Sequence, residues 1–176
     1  YMIALVTGAS SGIGKDIAVE LAKKGYDIIA VARNEDRLIE LKTYIENNIS
    51  NRRVFVKICD LSVADNCIKL HDDIFNDFGT IDVLINNAGF GTCGRFTDTS
   101  LDKEINMIDT NIKALHILMK LFLQDMCKSN YGYIMNVASI AGFMPGPLMA
   151  TYYSSKAYVV RLTESVREEL FMEGSK

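Results

Sequence analysis

A chain of 176 residues fits one domain and is long enough to bury a sizeable core. Its 49% apolar and 23% charged residues are those of an ordinary globular protein, and no apolar run approaches the roughly 20 residues of a membrane span. The net charge of −3 gives no electrostatic reason to expect nucleic acid or an anionic membrane as partner.

The N-terminal MIALV runs straight into a glycine loop and is too short for a signal core, so no signal peptide is expected. Cys59, Cys67, Cys93 and Cys127 have no CxxC spacing and read as free thiols, with the cytoplasm as the default compartment. His71 and His116 have no ligand-spaced neighbours, so no metal site is expected.

Short apolar runs at 2–6, 27–32, 53–58, 82–86 and 131–138 predict strands. They are mostly continuous rather than alternating, the pattern of a parallel sheet covered on both faces. Helices are predicted near 12–24, 35–49, 62–78, 101–128 and 152–172. In the fourth, Ile105, Ile108, Ile112, Leu115, Met119 and Phe122 recur at three and four residues and predict one apolar stripe. Five alternations with right-handed crossovers give a single doubly wound α/β domain. Such sheets bind ligands at the carboxyl ends of their strands, where strand order reverses.

TGASSGIG (7–14) lies between the first strand and the first helix. Gly8, Gly12 and Gly14 permit a tight turn and let backbone N–H groups approach a pyrophosphate at the helix N-terminus. Ser10, Ser11 and Ile13 belong to the same loop and are expected to line it. A tight turn that binds nothing is the plain alternative, but the loop's place at the head of an alternating chain favours a dinucleotide. Arg33 follows the second strand, where an acid would accept the 2′-hydroxyl of NAD. A guanidinium suits a 2′-phosphate instead, with Lys15 in support, so NADP(H) is favoured over NAD(H), although Glu35 and Asp36 are close. Asp60, before Leu61, is a candidate acceptor for the adenine amino group and equally a cap for the following helix.

NNAG at 86–89, NVAS at 136–139 and YYSSK at 152–156, with TGxxxGxG at 7–14, resemble the short-chain dehydrogenase/reductase family. The match runs through the whole chain, and its motifs are specific as a set. The resemblance implies a Rossmann-like fold, a nicotinamide cofactor and the interconversion of alcohols and carbonyls. It implies that Tyr152 is the acid/base, that Lys156 binds the nicotinamide ribose, that Ser139 holds the substrate oxygen, and that Asn111 supports the lysine in a proton relay. Asn87, Ala88 and Gly89 would pass the adenosine side of the cofactor close to backbone. Tyr152 and Tyr153 are four and three residues from Lys156, so helix geometry alone leaves both open, and the resemblance selects Tyr152.

A hydroxyl of pKa about 10 is poorly matched to neutral pH, and a neighbouring ammonium would stabilise its anion. Taken singly, each residue also has an ordinary role: a packed ring, a snorkelling lysine, a turn serine, a helix-breaking asparagine. Phe143, Met144, Pro145, Pro147, Leu148 and Met149 favour an apolar ketone or secondary alcohol, with an acyl-carrier-bound 3-oxo substrate as an alternative. A non-catalytic dinucleotide sensor is the competing reading, although such relatives usually lose the tyrosine or the lysine. The resemblance also implies a homodimer or homotetramer through the helices near 101–128 and 152–172. Relatives usually run longer, so the 176 residues are expected to lack C-terminal strands and a substrate loop, leaving the fifth strand an open edge.

Overall fold

The β-branched and apolar runs all form strands: β1 (Met2–Thr7), β2 (Tyr26–Ala32), β3 (Val54–Ile58), β4 (Val83–Asn86) and β5 (Tyr133–Asn136). The computed structural model describes residues 2–174. Within them the strands make one sheet, ordered β3-β2-β1-β4-β5, with every pairing parallel. Around it pack α1 (Gly12–Lys23), α2 (Glu35–Asn48), α3 (Ala64–Phe78), α4 (Leu101–Ile108), α5 (Leu115–Ser129) and α6 (Ala150–Met172).

Successive side chains of a strand point to opposite faces, and the core divides accordingly. Ala4, Val6, Ile28 and Ala30 pack with Ala18 and Ala22 of α1 and Leu38, Leu41 and Ile45 of α2. Leu5, Ile29, Val31 and Leu84 pack against α3 and α5 on the other face. Leu115, Met119 and Val159 make a smaller cluster that seats α6 beside β5. With both faces covered, strands need no polar side, which is why their sequences read as continuous apolar runs.

Two aspartates pin the lower ends of the strands. Buried Asp27 accepts from the backbone N–H of Arg53 at 3.0 Å, tying β2 to β3. Asp82 accepts from the N–H of Ile3 at 2.6 Å, tying β4 to β1. His71 of α3 meets Asp125 of α5 at 2.8 Å and packs edge-on against Phe122.

Two expectations need correction. The fifth strand is shorter than 131–138, covering only Tyr133–Asn136, and Tyr133 and Met135 are exposed at that edge of the described sheet. The helix predicted over 101–128 is interrupted by a π-helical segment at Asp109–Ala114. A π turn inserts a residue and rotates everything beyond it by about 100° relative to an unbroken helix. The predicted stripe therefore splits. Leu115, Met119 and Phe122 are buried, Ile105 and Ile108 are exposed, and Glu104, Met107 and Asn111 take the inner positions. No described helix is long and apolar enough to cross a membrane.

Candidate active site

The chain leaves β1 toward β2 and β3 on one side, then returns to place β4 and β5 on the other. The loops after β1 and β4 part at this switch, and a cavity of about 760 Å³ opens at the carboxyl ends of the strands. Arg33 and Asp60 stand on its wall at the ends of β2 and β3, and Tyr152 and Lys156 stand on its wall at the start of α6.

The glycine turn is built from two different requirements. Gly12 has φ +52 and open space where a Cβ would stand, so its glycine is a matter of backbone conformation. Gly14 is buried against the carbonyl of Gly8 and the amide of Asn87, so any Cβ there collides with both. Asn87 donates from Nδ2 to the carbonyls of Thr7 and Gly8 at 3.0 and 3.3 Å. Thr7 Oγ1 receives the N–H groups of Asn87 and Ala88 at 2.9 and 3.0 Å. Thr7 and Asn87 thus clamp the first loop to the fourth, with the Asn87 side chain turned to that task. Thr7 was not among the sequence candidates, although it opens the TGASSGIG motif.

Ser11 precedes α1 in an extended conformation and makes no side-chain cap, and the first turn holds no acidic residue. The N–H groups of that turn are left for an anion. Gly8, Ser10, Ser11 and Ile13 line the cavity, as do Ala88 and Gly89 across it. Ile13 is 63% exposed, an apolar side chain standing open over the site. Lys15 is exposed on α1 and is not a wall residue, whereas Asn34, next to Arg33, is.

Asp60 serves first as a turn residue. Its Oδ1 accepts from Ser62 Oγ at 2.7 Å and Ser62 N at 3.0 Å, opening the turn that leads into α3. Those bonds, with a smaller contribution from the Arg33 charge, hold its carboxyl below the usual range. Leu61 is buried beside it on the cavity wall. Cys59 also lines this end; burial, with the charge of Asp60, raises its thiol and keeps it protonated. No sequence pattern marked it.

At the other end the loops after β4 and β5 converge with the π segment and the start of α6. Lys156 is 7% exposed, with Nζ donating to the carbonyl of Val137 at 2.8 Å. Among the described residues it has no carboxylate partner, and burial lowers its pKa. Its Nζ is 5.9 Å from the centroid of the Tyr152 ring. An ammonium sunk in protein without a counter-ion is costly, and such groups cluster at functional sites. Asn111 lies in the π segment, buried, exchanging bonds with the backbone of Phe90: Oδ1 accepts from its N–H at 3.0 Å and Nδ2 donates to its carbonyl at 2.8 Å. A Cβ on Gly89 would come within 3.0 Å of Asn111 Oδ1 and 3.7 Å of Lys156 Nζ, so all three share one small space. Ser139 directly follows Val137 and Ala138, two wall residues, but does not itself line the cavity. Its hydroxyl accepts from the N–H of Ala141 at 3.1 Å and caps a 3₁₀ turn.

The two tyrosines go to different places. Tyr152 faces the large cavity with Lys156, while Tyr153 packs its ring on Gly146 and lines a separate recess with Met144 and Pro147. Gly91 lies close over Tyr152: a Cβ there would stand 3.0 Å from the Tyr152 ring and 3.3 Å from the Met149 methyl, a tight fit. The loop carrying Gly91 is bridged to the loop before α6 by Gly94 N–H donating to Leu148 O at 2.8 Å. Leu148 holds φ +66, a left-handed conformation that a leucine adopts only under constraint.

Comparisons with known proteins identify the family and the fold. Residues 2–174 match the family model described as short chain dehydrogenase. An uncharacterised oxidoreductase of Staphylococcus epidermidis is 36% identical over 174 residues, covering 99% of this chain and 74% of that protein. A metagenomic short-chain oxidoreductase crystallised with NADP superposes with a TM-score of 0.91 at 32% identity, covering 97% of this chain and 77% of the other. The bulky-bulky ketone specific alcohol dehydrogenase from Comamonas testosteroni superposes at 0.90 with 29% identity, covering 97% and 68%. The chain belongs to the short-chain dehydrogenase family and is an oxidoreductase of that type.

Proposed function

We infer that the protein transfers a hydride between NADP(H) and a ketone or secondary alcohol. The observation that carries this reading is the buried, carboxylate-free ammonium of Lys156 on the same cavity wall as the Tyr152 phenol.

The residues present fit a dinucleotide. Gly14 leaves the first and fourth loops in contact, the start of α1 offers uncapped N–H groups, and the cavity is long enough to run from Arg33 to Lys156. Gly8, Ser10, Ser11, Gly12 and Ile13 would hold the pyrophosphate side, Asp60 and Leu61 the adenine, and Asn87, Ala88 and Gly89 the far wall. Arg33 would take a 2′-phosphate in a two-pronged bond, which favours NADP(H). The NADP-bound relative supports the same choice. When bound, the nicotinamide supplies or accepts the hydride.

The chain handles the proton and the charge. Tyr152 gives its phenolic proton to the forming alkoxide in reduction and removes the alcohol proton in oxidation. The Lys156 charge stabilises the tyrosinate left behind and would hold the nicotinamide ribose. Ser139 donates to the substrate oxygen as negative charge builds there. Asn111, with both ends of its amide bonded to Phe90, keeps the loop after β4 in register with Lys156 and supports the relay that returns the proton. Apolar Met149 on the cavity wall and the exposed Phe143, Met144 and Leu148 that precede it in the chain favour a hydrophobic substrate, in keeping with the bulky ketones named for the Comamonas enzyme.

The exposed apolar face formed by Leu101, Ile105 and Ile108 of α4 supports a homodimer or homotetramer through α4–α5 and α6. The free cysteines accord with a reducing, cytoplasmic setting.

The test is NADPH oxidation, with NADH alongside, across ketones, aldehydes and 3-oxoacyl thioesters. Tyr152→Phe is expected to lower kcat by about 10²–10⁴-fold while leaving NADPH affinity within about twofold, the range for loss of a general acid. Full activity in that variant would sink the reading. NADPH binding without turnover on any substrate would favour a sensor.

A further inference from the structure

Ser155 has no exposed surface, yet it carries a hydroxyl. It lies three residues after Tyr152 and one before Lys156, so all three share the inner side of the first turns of α6. Its Oγ donates to the carbonyl of Tyr152 at 2.7 Å and accepts from Asn111 Nδ2 at 3.1 Å. A buried helical serine satisfies itself with the first bond alone, by reaching back to a carbonyl one turn earlier. The second bond is of another kind. It crosses 44 residues of sequence to the π segment and is the only side-chain hydrogen bond between that segment and α6 among the described residues.

The partner makes the bond consequential. Asn111 Nδ2 has two protons, one on Phe90 O and the other on Ser155 Oγ, and its Oδ1 is taken by Phe90 N–H. The amide is therefore satisfied at every site it has for donation, and its orientation is set by partners on the loop after β4 and on α6. Without the serine hydroxyl one of those buried protons loses its acceptor, and Asn111 is held by its two bonds to Phe90 alone, with no tie to α6. A Cβ on Gly89 would press on the Asn111 amide at 3.0 Å and touch Lys156 Nζ at 3.7 Å, so glycine leaves the pair its room.

We propose that Ser155 is a positioning residue, whose hydroxyl locks the turn bearing Tyr152 and Lys156 to Asn111 and so fixes phenol, ammonium and the Phe90 backbone relative to one another. The inference rests on the reading that Tyr152 and Lys156 carry the chemistry. Ser155 acts through them and touches no substrate.

The test compares the whole protein with Ser155→Ala and Ser155→Thr by two readouts. One is NADPH-dependent carbonyl reduction. The other is ionisation of Tyr152 in the cofactor-free protein, read at 295 nm as the difference between each protein and the same protein with Tyr152→Phe. Ser155→Ala is expected to lower kcat about 10–10²-fold, as a small misplacement of reacting groups does, with KM for NADPH within about twofold. It is also expected to displace the Tyr152 difference signal from that of the parent protein, and Ser155→Thr, which keeps the hydroxyl, is expected to restore both. A folded Ser155→Ala protein with unchanged kcat and unchanged Tyr152 ionisation overturns the proposal. So does a loss of thermal stability with the Tyr152 titration unmoved, which marks a merely structural serine. If Tyr152→Phe itself keeps full turnover, the catalytic reading fails separately, and the titration still decides whether Ser155 governs the phenol.

Discussion

The two ends of the cavity are built on opposite principles. At one end, Arg33 after β2 and Ser11 after β1 stand exposed, while exposed Asn34 caps α2 by accepting from Arg37 N–H at 3.0 Å. At the β4–β5 end, Asn111, Ser155 and Lys156 are buried and each is already hydrogen-bonded. Exposed side chains can adjust to a ligand and lose some freedom on doing so, which suits affinity and selectivity. Buried, bonded groups cannot adjust, which suits a reaction whose transition state needs its charges and protons already in place. The difference teaches which substitutions act on binding and which on rate.

The sharpest way to break this division is Lys156→Met. Turnover is expected to fall roughly 10²-fold or more, as for loss of a group that tunes a general acid. The Tm of the cofactor-free protein is expected to rise, by about 2–4 °C for each kcal/mol of relieved burial. Burial depresses the lysine's folded-state pKa, so the unfolded chain binds its proton more tightly. The destabilisation is therefore full below the folded pKa and fades as pH rises toward the ordinary lysine range. Thermal melts of both proteins across alkaline pH check this, and a large fall in Tm for Lys156→Met would show that the ammonium supports the fold.

At the opposite end Arg33→Asp should change preference and spare the chemistry. The ratio of kcat/KM for NADPH over NADH is expected to drop about 10–10²-fold, the worth of a charge-assisted pair, with kcat on saturating NADH close to that of the parent. An unchanged ratio would make Arg33 a bystander. The smallest effect is expected at Tyr153→Phe. The ring lies on Gly146 away from the cavity, so kcat is expected within about threefold, in line with changes of roughly ±0.5 kcal/mol outside special sites. A folded Tyr153→Phe protein without turnover would transfer the acid role from Tyr152.

Much of this arrangement was legible in residue order. Continuous apolar runs such as DIIAVA announce a strand covered on both faces, and Ile28 and Ile29 do go to opposite core layers. The glycine loop, NNAG and YYSSK fall where strands end. What could not be read was phase and partnership. A regular helix through 101–128 carries Ile105 and Leu115 on one stripe, and the inserted π residue separates them, because hydrophobic spacing alone does not reveal where a helix widens. Tyr152 and Tyr153 are equivalent by spacing to Lys156, and only the packing of Tyr153 under Gly146 separates them. Ser155 stood in view inside YYSSK, but its significance depends on Asn111, 44 residues earlier, which no local pattern reports. Asp60 kept two readings in the sequence, and its bonds to Ser62 give it the turn role at least.

The left-handed leucine at 148 has a consequence for timing. Its carbonyl fastens the loop after β4 to the loop before α6 before any ligand arrives, and the strain of that backbone is of the order of 1–3 kcal/mol. The entropy of ordering these loops is therefore lost during folding, not at each encounter with a substrate. The bond joins the two loops as part of the fold, so the entropy of joining them is not a cost that substrate capture has to meet again.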